Sequence, residues 1–83
     1  MNIWRITGKI ATEIAKAMNR GHKLDINIKC WQLPDLVSHK MVILLGYEGA
    51  KKDLVTVLKE YIFRNCNCKE KLVLEPIEGK KNE

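Results

Sequence analysis

The sequence predicts a single α+β domain with the element order β-α-β-β-α-β. Its four antiparallel strands would run in the order 4-1-3-2, with two helices packed on one face of the sheet. Three stretches carry this reading. Met41–Ile62 (MVILLGYEGAKKDLVTVLKEYI) is an apolar strand that enters a glycine-flanked turn and then a long amphipathic helix. Lys9–Arg20 has a single apolar stripe at helical spacing. Lys23–Trp31 alternates polar and apolar residues with a period of two.

The elements follow in order. Asn2–Ile6 (NIWRI) is short and rich in β-formers, which reads as a first strand. Thr7-Gly8 breaks it, and the Thr7 hydroxyl is placed to accept from the first free amides of a helix. Ile10, Ile14, Ala17 and Met18 then line one face of the Lys9–Arg20 helix, opposite Lys9, Glu13, Lys16 and Arg20. Gly21 stands where a left-handed residue ends a helix.

In Lys23–Trp31 (KLDINIKCW), Leu24, Ile26, Ile28 and Cys30 share one side, as a half-buried edge strand requires. Gln32–His39 reads as a connection, since Pro34 cannot donate to a ladder and Asp35 and Ser38 favour turns. Met41–Leu45 is apolar on both sides and reads as a central strand. Ala50–Asn65 is the second helix, with Leu54, Leu58, Tyr61 and Ile62 as its stripe. Asn65–Lys69 is a loop, Lys71–Glu75 a last strand ended by Pro76, and Glu78–Glu83 a polar tail. One domain over residues 1–77 with a tail over 78–83 is therefore expected.

Size and composition narrow the function classes. At 83 residues there is room for one core only. The longest apolar run, Met41–Leu45, is far below the roughly 20 residues of a membrane span. No basic segment leads into an apolar one as in a signal peptide, so a cytoplasmic protein without a membrane role is expected. Three cysteines are a poor basis for a disulfide framework and suit reduced thiols. A net charge of +5 permits nucleic-acid binding without requiring it.

The element order is that of the ferredoxin-like plait. With both helices on one face, the other face would carry some of Trp4, Trp31, Val73 and one side of Met41–Leu45. An exposed apolar sheet face marks an interface or ligand surface, so self-association through that face or an edge strand is expected. The alternative is that these side chains are exposed singly and partly covered by the tail.

The run Leu24-Asp25-Ile26-Asn27-Ile28, followed by Met41–Leu45 and Ala50–Ile62, resembles the NIL domains, whose second strand typically reads V-x-V-N-I-L before an apolar third strand and a helix. The loop lacks the glycine usual before the third strand, and Lys29 stands where an apolar residue is usual. Thr7-Gly8 resembles the glycine turn after the first strand of ACT domains, where effectors often bind. The resemblance covers about half the chain. It implies a small regulatory or ligand-binding module, often dimeric and without catalysis of its own, with Thr7, Gly8 and Lys9 at the ligand.

The Cys66-x-Cys68 pair, with His39 at the same end of the sheet, offers a partial soft-metal or redox site. Cys30 lies three strand spacings away, roughly 14 Å, and the usual four-ligand set is incomplete, so plain thiols are the competing reading. Lys69 and Lys71 would lower the pKa of a nearby thiol.

Lys9, Lys16, Arg20 and Lys23, with Lys52 and Lys59 on the second helix, form basic faces that either bind nucleic acid or are simply solvated. The RNA-recognition signature is absent from the third strand, KMVILLGY. Trp4 and Trp31 suit an interface as well as base stacking. No nucleophile, base and acid converge in a known motif, and Thr7-Gly8-Lys9 lacks the spacing of a phosphate loop. The expected protein is a non-catalytic, cofactor-free homo-oligomer that binds a small ligand or protein partner. A nucleic-acid accessory protein is the alternative, followed by a metal or thiol site.

Overall fold

The computed structural model describes residues 1–38 and 40–77. Its elements are β1 (Asn2–Ile6), α1 (Lys9–Asn19), β2 (Lys29–Pro34), β3 (Met41–Tyr47), α2 (Lys51–Asn65) and β4 (Glu75–Pro76). The strands form one antiparallel sheet in the order β2-β3-β1-β4, which is the expected plait. The metal role of His39 and the tail over 78–83 lie outside the described residues.

Alternation along the central strands explains the core. Trp4 and Ile6 of β1 stand opposite Leu45 and Ile43 of β3, and all four are buried on one face. Ile10, Ile14 and Ala17 of α1 and Leu54, Leu58, Tyr61 and Ile62 of α2 close over them as one cluster. Both helical stripes are therefore the ones the periodicity marks.

α1 ends as expected. Gly21 has φ +102°, the Gly21 N–H donates to the Met18 carbonyl at 3.0 Å, and the His22 N–H donates to Ala17 at 3.1 Å. This is the paired bonding of a Schellman stop. The start of α1 differs from expectation. Thr7 does not cap it; Gly8 is the N-cap, at φ 86° and ψ −167°, and makes no side-chain cap bond. The free amide of Ile10 donates instead to Glu70 Oε1 at 3.3 Å, from 60 residues away.

The second strand is shifted from its expected place. Residues 25–28 form a turn in which the Asn27 N–H donates to Asp25 Oδ1 at 2.8 Å and the Ile28 N–H to the Asp25 carbonyl at 3.0 Å. Side chains such as Asp offer the backbone local partners that compete with a ladder. Ile26 is left 94% exposed, although the alternation assigns it to the core side. β2 runs from Lys29 through Pro34, keeping the last three residues of the expected strand and taking Gln32–Pro34 from the expected connection, and pairs with β3 from Lys29↔Gly46 to Pro34↔Met41.

The last strand is likewise shorter and later than Lys71–Glu75. Among the described residues Glu75 and Pro76 pair with β1, opposite Arg5 and Trp4, and the Ile77 N–H donates to the Ile3 carbonyl at 2.9 Å. Leu74 is buried and Leu72 packs on the core, so this segment contributes burial without a ladder. Both prolines sit on the outer edges of the sheet, where a missing N–H breaks no internal ladder bond.

Candidate functional site

The face of the sheet turned away from the helices is the candidate site. By alternation it takes Ile3 and Arg5 from β1, Trp31 and Leu33 from β2, and Val42 and Leu44 from β3. Trp31 is 41% exposed and Leu33 44%. Ile3, Trp31, Leu33 and Leu44 line a shallow hollow of about 310 Å³. A second hollow of about 500 Å³ adjoins it, where Arg5, Thr7 and Asp35 add polar groups to Leu33, Pro34, Val42, Leu44 and Ile77.

Two charged residues on this face, Arg5 and Asp35, are held by partners within the chain. Arg5 Nε donates to Glu75 Oε1 at 3.0 Å, across the β1–β4 pair. Asp35 accepts from the Val37 N–H at 3.0 Å and from Ser38 Oγ at 2.9 Å. These bonds, the Val37 amide first, hold its carboxyl below the ordinary carboxylate range.

The expected interface residues separate. Trp31 is on the open face as anticipated. Trp4 is not: it is 6% exposed and packed beneath the helices. NIWRI has apolar residues on both sides, so its parity is undecided until the helices choose the Trp4/Ile6 side. Val73 is exposed, but it precedes β4 and lines neither hollow. Leu33 was missed because Pro34 beside it reads as a loop signal.

The expected ligand turn is also divided. Thr7 borders the open face, whereas Lys9 lines a different hollow of about 480 Å³ with Asn67, Cys68, Lys69 and Glu70. A neighbouring hollow of about 370 Å³ includes Lys59, Phe63, Glu70 and Lys71. Glu70 lines both hollows, and its carboxylate accepts from the Ile10 N–H at the start of α1. Sequence spacing gives no hint of it, because the contact is made only once the chain has folded back.

The remaining basic residues, Lys16, Arg20, Lys23 and Lys52, are exposed. Lys16 pairs with Glu13 at 3.8 Å, and Arg20 donates to the Asn65 carbonyl at the end of α2 at 3.4 Å.

The three cysteines are free and half-buried. Cys30 Sγ lies 3.6 Å from Met18 Sδ, and burial pushes its thiol up to about 11. Cys66 Sγ donates to the Glu13 carbonyl at 3.6 Å. Burial raises the Cys66 pKa, the Glu13 charge adds to this, and Arg20 opposes it, so the lowering expected from Lys69 and Lys71 does not govern this thiol. Tyr61 donates to the His22 carbonyl and is raised by burial and by Cys66 and Cys30 nearby. Among the described residues no group of three or more His, Cys, Asp or Glu is arranged to hold a metal ion. No helix among them is long and apolar enough to cross a membrane.

Comparison with known proteins finds no matching family model, no matching curated protein and no matching solved structure.

Proposed function

We propose that this chain is a non-catalytic binding module that self-associates and takes a small ligand or a protein partner on the open face of its sheet. The observation that carries this reading is the apolar surface of Ile3, Trp31, Leu33, Val42 and Leu44, which the helices leave uncovered. Such a surface in water favours whatever covers it, at about 25 cal/mol per Å² of apolar area buried. Arg5 and Thr7 at its border supply polar donors that would orient a ligand. The three free thiols suit a reducing, cytoplasmic setting.

Native mass spectrometry of the protein as purified tests this directly, since it reads subunit number and retained small molecules together. An oligomer, with or without added mass, is the expected result. A bare monomer whose stability no ligand changes overturns the reading.

A second reading, nucleic-acid binding, is favoured by the two adjoining hollows, whose linings hold Lys9, Lys59, Lys69 and Lys71 against the single carboxylate of Glu70. It predicts affinity for a single-stranded oligonucleotide that falls steeply with salt. Binding absent at low salt removes it.

A further inference from the structure

The open face ends at an edge strand whose pattern is complementary to itself. We infer that two copies of this chain join edge to edge through β2, antiparallel about a two-fold axis at Gln32, so that two four-stranded sheets become one continuous sheet. This rests on the self-association reading and assigns its interface.

Among the described residues the sheet has two free edges, β2 and β4, of which β4 spans 2 residues and β2 spans 6. A strand edge of that length, with exposed Trp31 and Leu33, is a ready template for another strand. The backbone directions follow from the ladder. The Asp35 N–H donates inward to the Lys40 carbonyl at 2.8 Å, one step beyond the Pro34↔Met41 pair. In an antiparallel pair the inward and outward residues alternate. Lys29, Trp31, Leu33 and Asp35 therefore bond to β3, and Cys30, Gln32 and Pro34 present their backbone groups to the outside. Pro34 offers a carbonyl there and no N–H.

Only registers that set these outward residues against one another form a ladder. About an axis at Gln32, its N–H donates to the Gln32 carbonyl of the second copy and the Cys30 N–H to the Pro34 carbonyl, each reciprocated by symmetry. The side chains on the open face then match. Lys29 stands opposite Asp35 of the second copy, and Trp31 opposite Leu33, so the order cation, aromatic, aliphatic, anion meets its own reverse. Sliding the pair so that Trp31 faces Trp31 sets Lys29 against Leu33 and leaves the charges unmatched. Sliding it the other way sets Trp31 against Asp35. Opposite charges and aromatic–aliphatic pairs directly across strands are the favourable combinations. Two hollows lined by Ile3, Trp31, Leu33 and Leu44 then meet along one apolar surface.

The test exchanges charges. Lys29→Asp and Asp35→Lys each place like charges across the axis twice, so each variant alone is expected to dimerise more weakly, on the order of tenfold. Mixed in equal amounts they restore both pairs, and native mass spectrometry should show the heterodimer over either homodimer. The variant carrying both exchanges should dimerise like the starting protein. Lys29 is exposed, so Lys29→Asp keeps the test valid if Asp35→Lys disturbs the turn that Asp35 holds through Val37 and Ser38. A dimer indifferent to both exchanges keeps self-association and overturns this interface. A starting protein that stays monomeric at its highest soluble concentration overturns both.

Discussion

The two faces of one sheet are built from the same strands and come to opposite ends. On the covered face Ile6, Ile43 and Leu45 are essentially inaccessible and belong to one cluster with the buried side chains of both helices. On the open face Ile3, Val42 and Leu44 are only half-buried by their neighbours, while Trp31 and Leu33 stand further out. The two tryptophans make the contrast in one residue type: Trp4 is 6% exposed and Trp31 41%. Composition does not separate the faces. What separates them is whether an amphipathic helix has been laid over each, so the stability of the fold resides on one side and an uncovered apolar surface remains on the other.

Exchanging each tryptophan is the strongest way to break this comparison. Trp4→Ala removes a large core side chain and is expected to cost about 3–5 kcal/mol in urea unfolding. That is a large part of the roughly 5–15 kcal/mol available to a small domain. Trp31→Ala, read at a concentration where the protein is monomeric, should change stability by about 0.5 kcal/mol or less. Comparable losses at the two positions would mean that the open face is also a structural core.

The next largest effect belongs to the turn that carries the chain from the sheet up to the covering helix. Gly8 at φ 86° and ψ −167° occupies backbone space that side-chain-bearing residues rarely enter. Gly8→Ala is expected to cost about 1–3 kcal/mol from that conformation alone. A Cβ there would meet nothing nearer than Glu70 Oε1 at 3.7 Å, so crowding does not contribute. Glu70→Ala removes the carboxylate that accepts from Ile10 at the positive end of α1 and should cost about 1 kcal/mol, less in high salt. Glu70→Gln keeps an acceptor and should lie between. A loss for Glu70→Ala that is indifferent to salt would assign the effect to the hydrogen bond and not to the charge.

These same places show what was legible in the sequence. The stripe Leu54, Leu58, Tyr61 and Ile62 and the two-sided apolarity of Met41–Leu45 fix a covered central strand, because burial leaves a period that residue types record. Gly21 is equally readable, since a helix stop is settled within a few residues. Glu70 is not readable, because its bond to Ile10 exists only through tertiary structure. β2 was misplaced for a related reason. The alternation of Leu24, Ile26 and Ile28 is that of a strand, but Asp25 and Asn27 close a local turn and the β3 ladder gives no partner before Lys29. Of the candidate site, Trp31 was legible as an exposed aromatic. That Leu33 shares its face was hidden by Pro34, whose outward position on an edge no local rule reveals.

The smallest effect sharpens the comparison within a single strand. Cys30 and Trp31 are neighbours on β2, and alternation sends Cys30 toward the covered face, against Met18. Burial there raises its thiol from 9.0 to about 11. Below pH 9 both folded and unfolded chains keep this proton, and stability is unaffected. Between about 9 and about 11 the unfolded chain has released the proton while the folded chain still holds it, so the unfolded state is favoured and stability falls as the pH rises. Urea midpoints followed upward through this window should decline. Cys30→Ala should flatten the decline without abolishing it, because Tyr61 and Cys66 are raised in the same direction. A decline unchanged in Cys30→Ala would show that this thiol reaches water as freely folded as unfolded, and that the covered face ends at β3 instead of extending under β2.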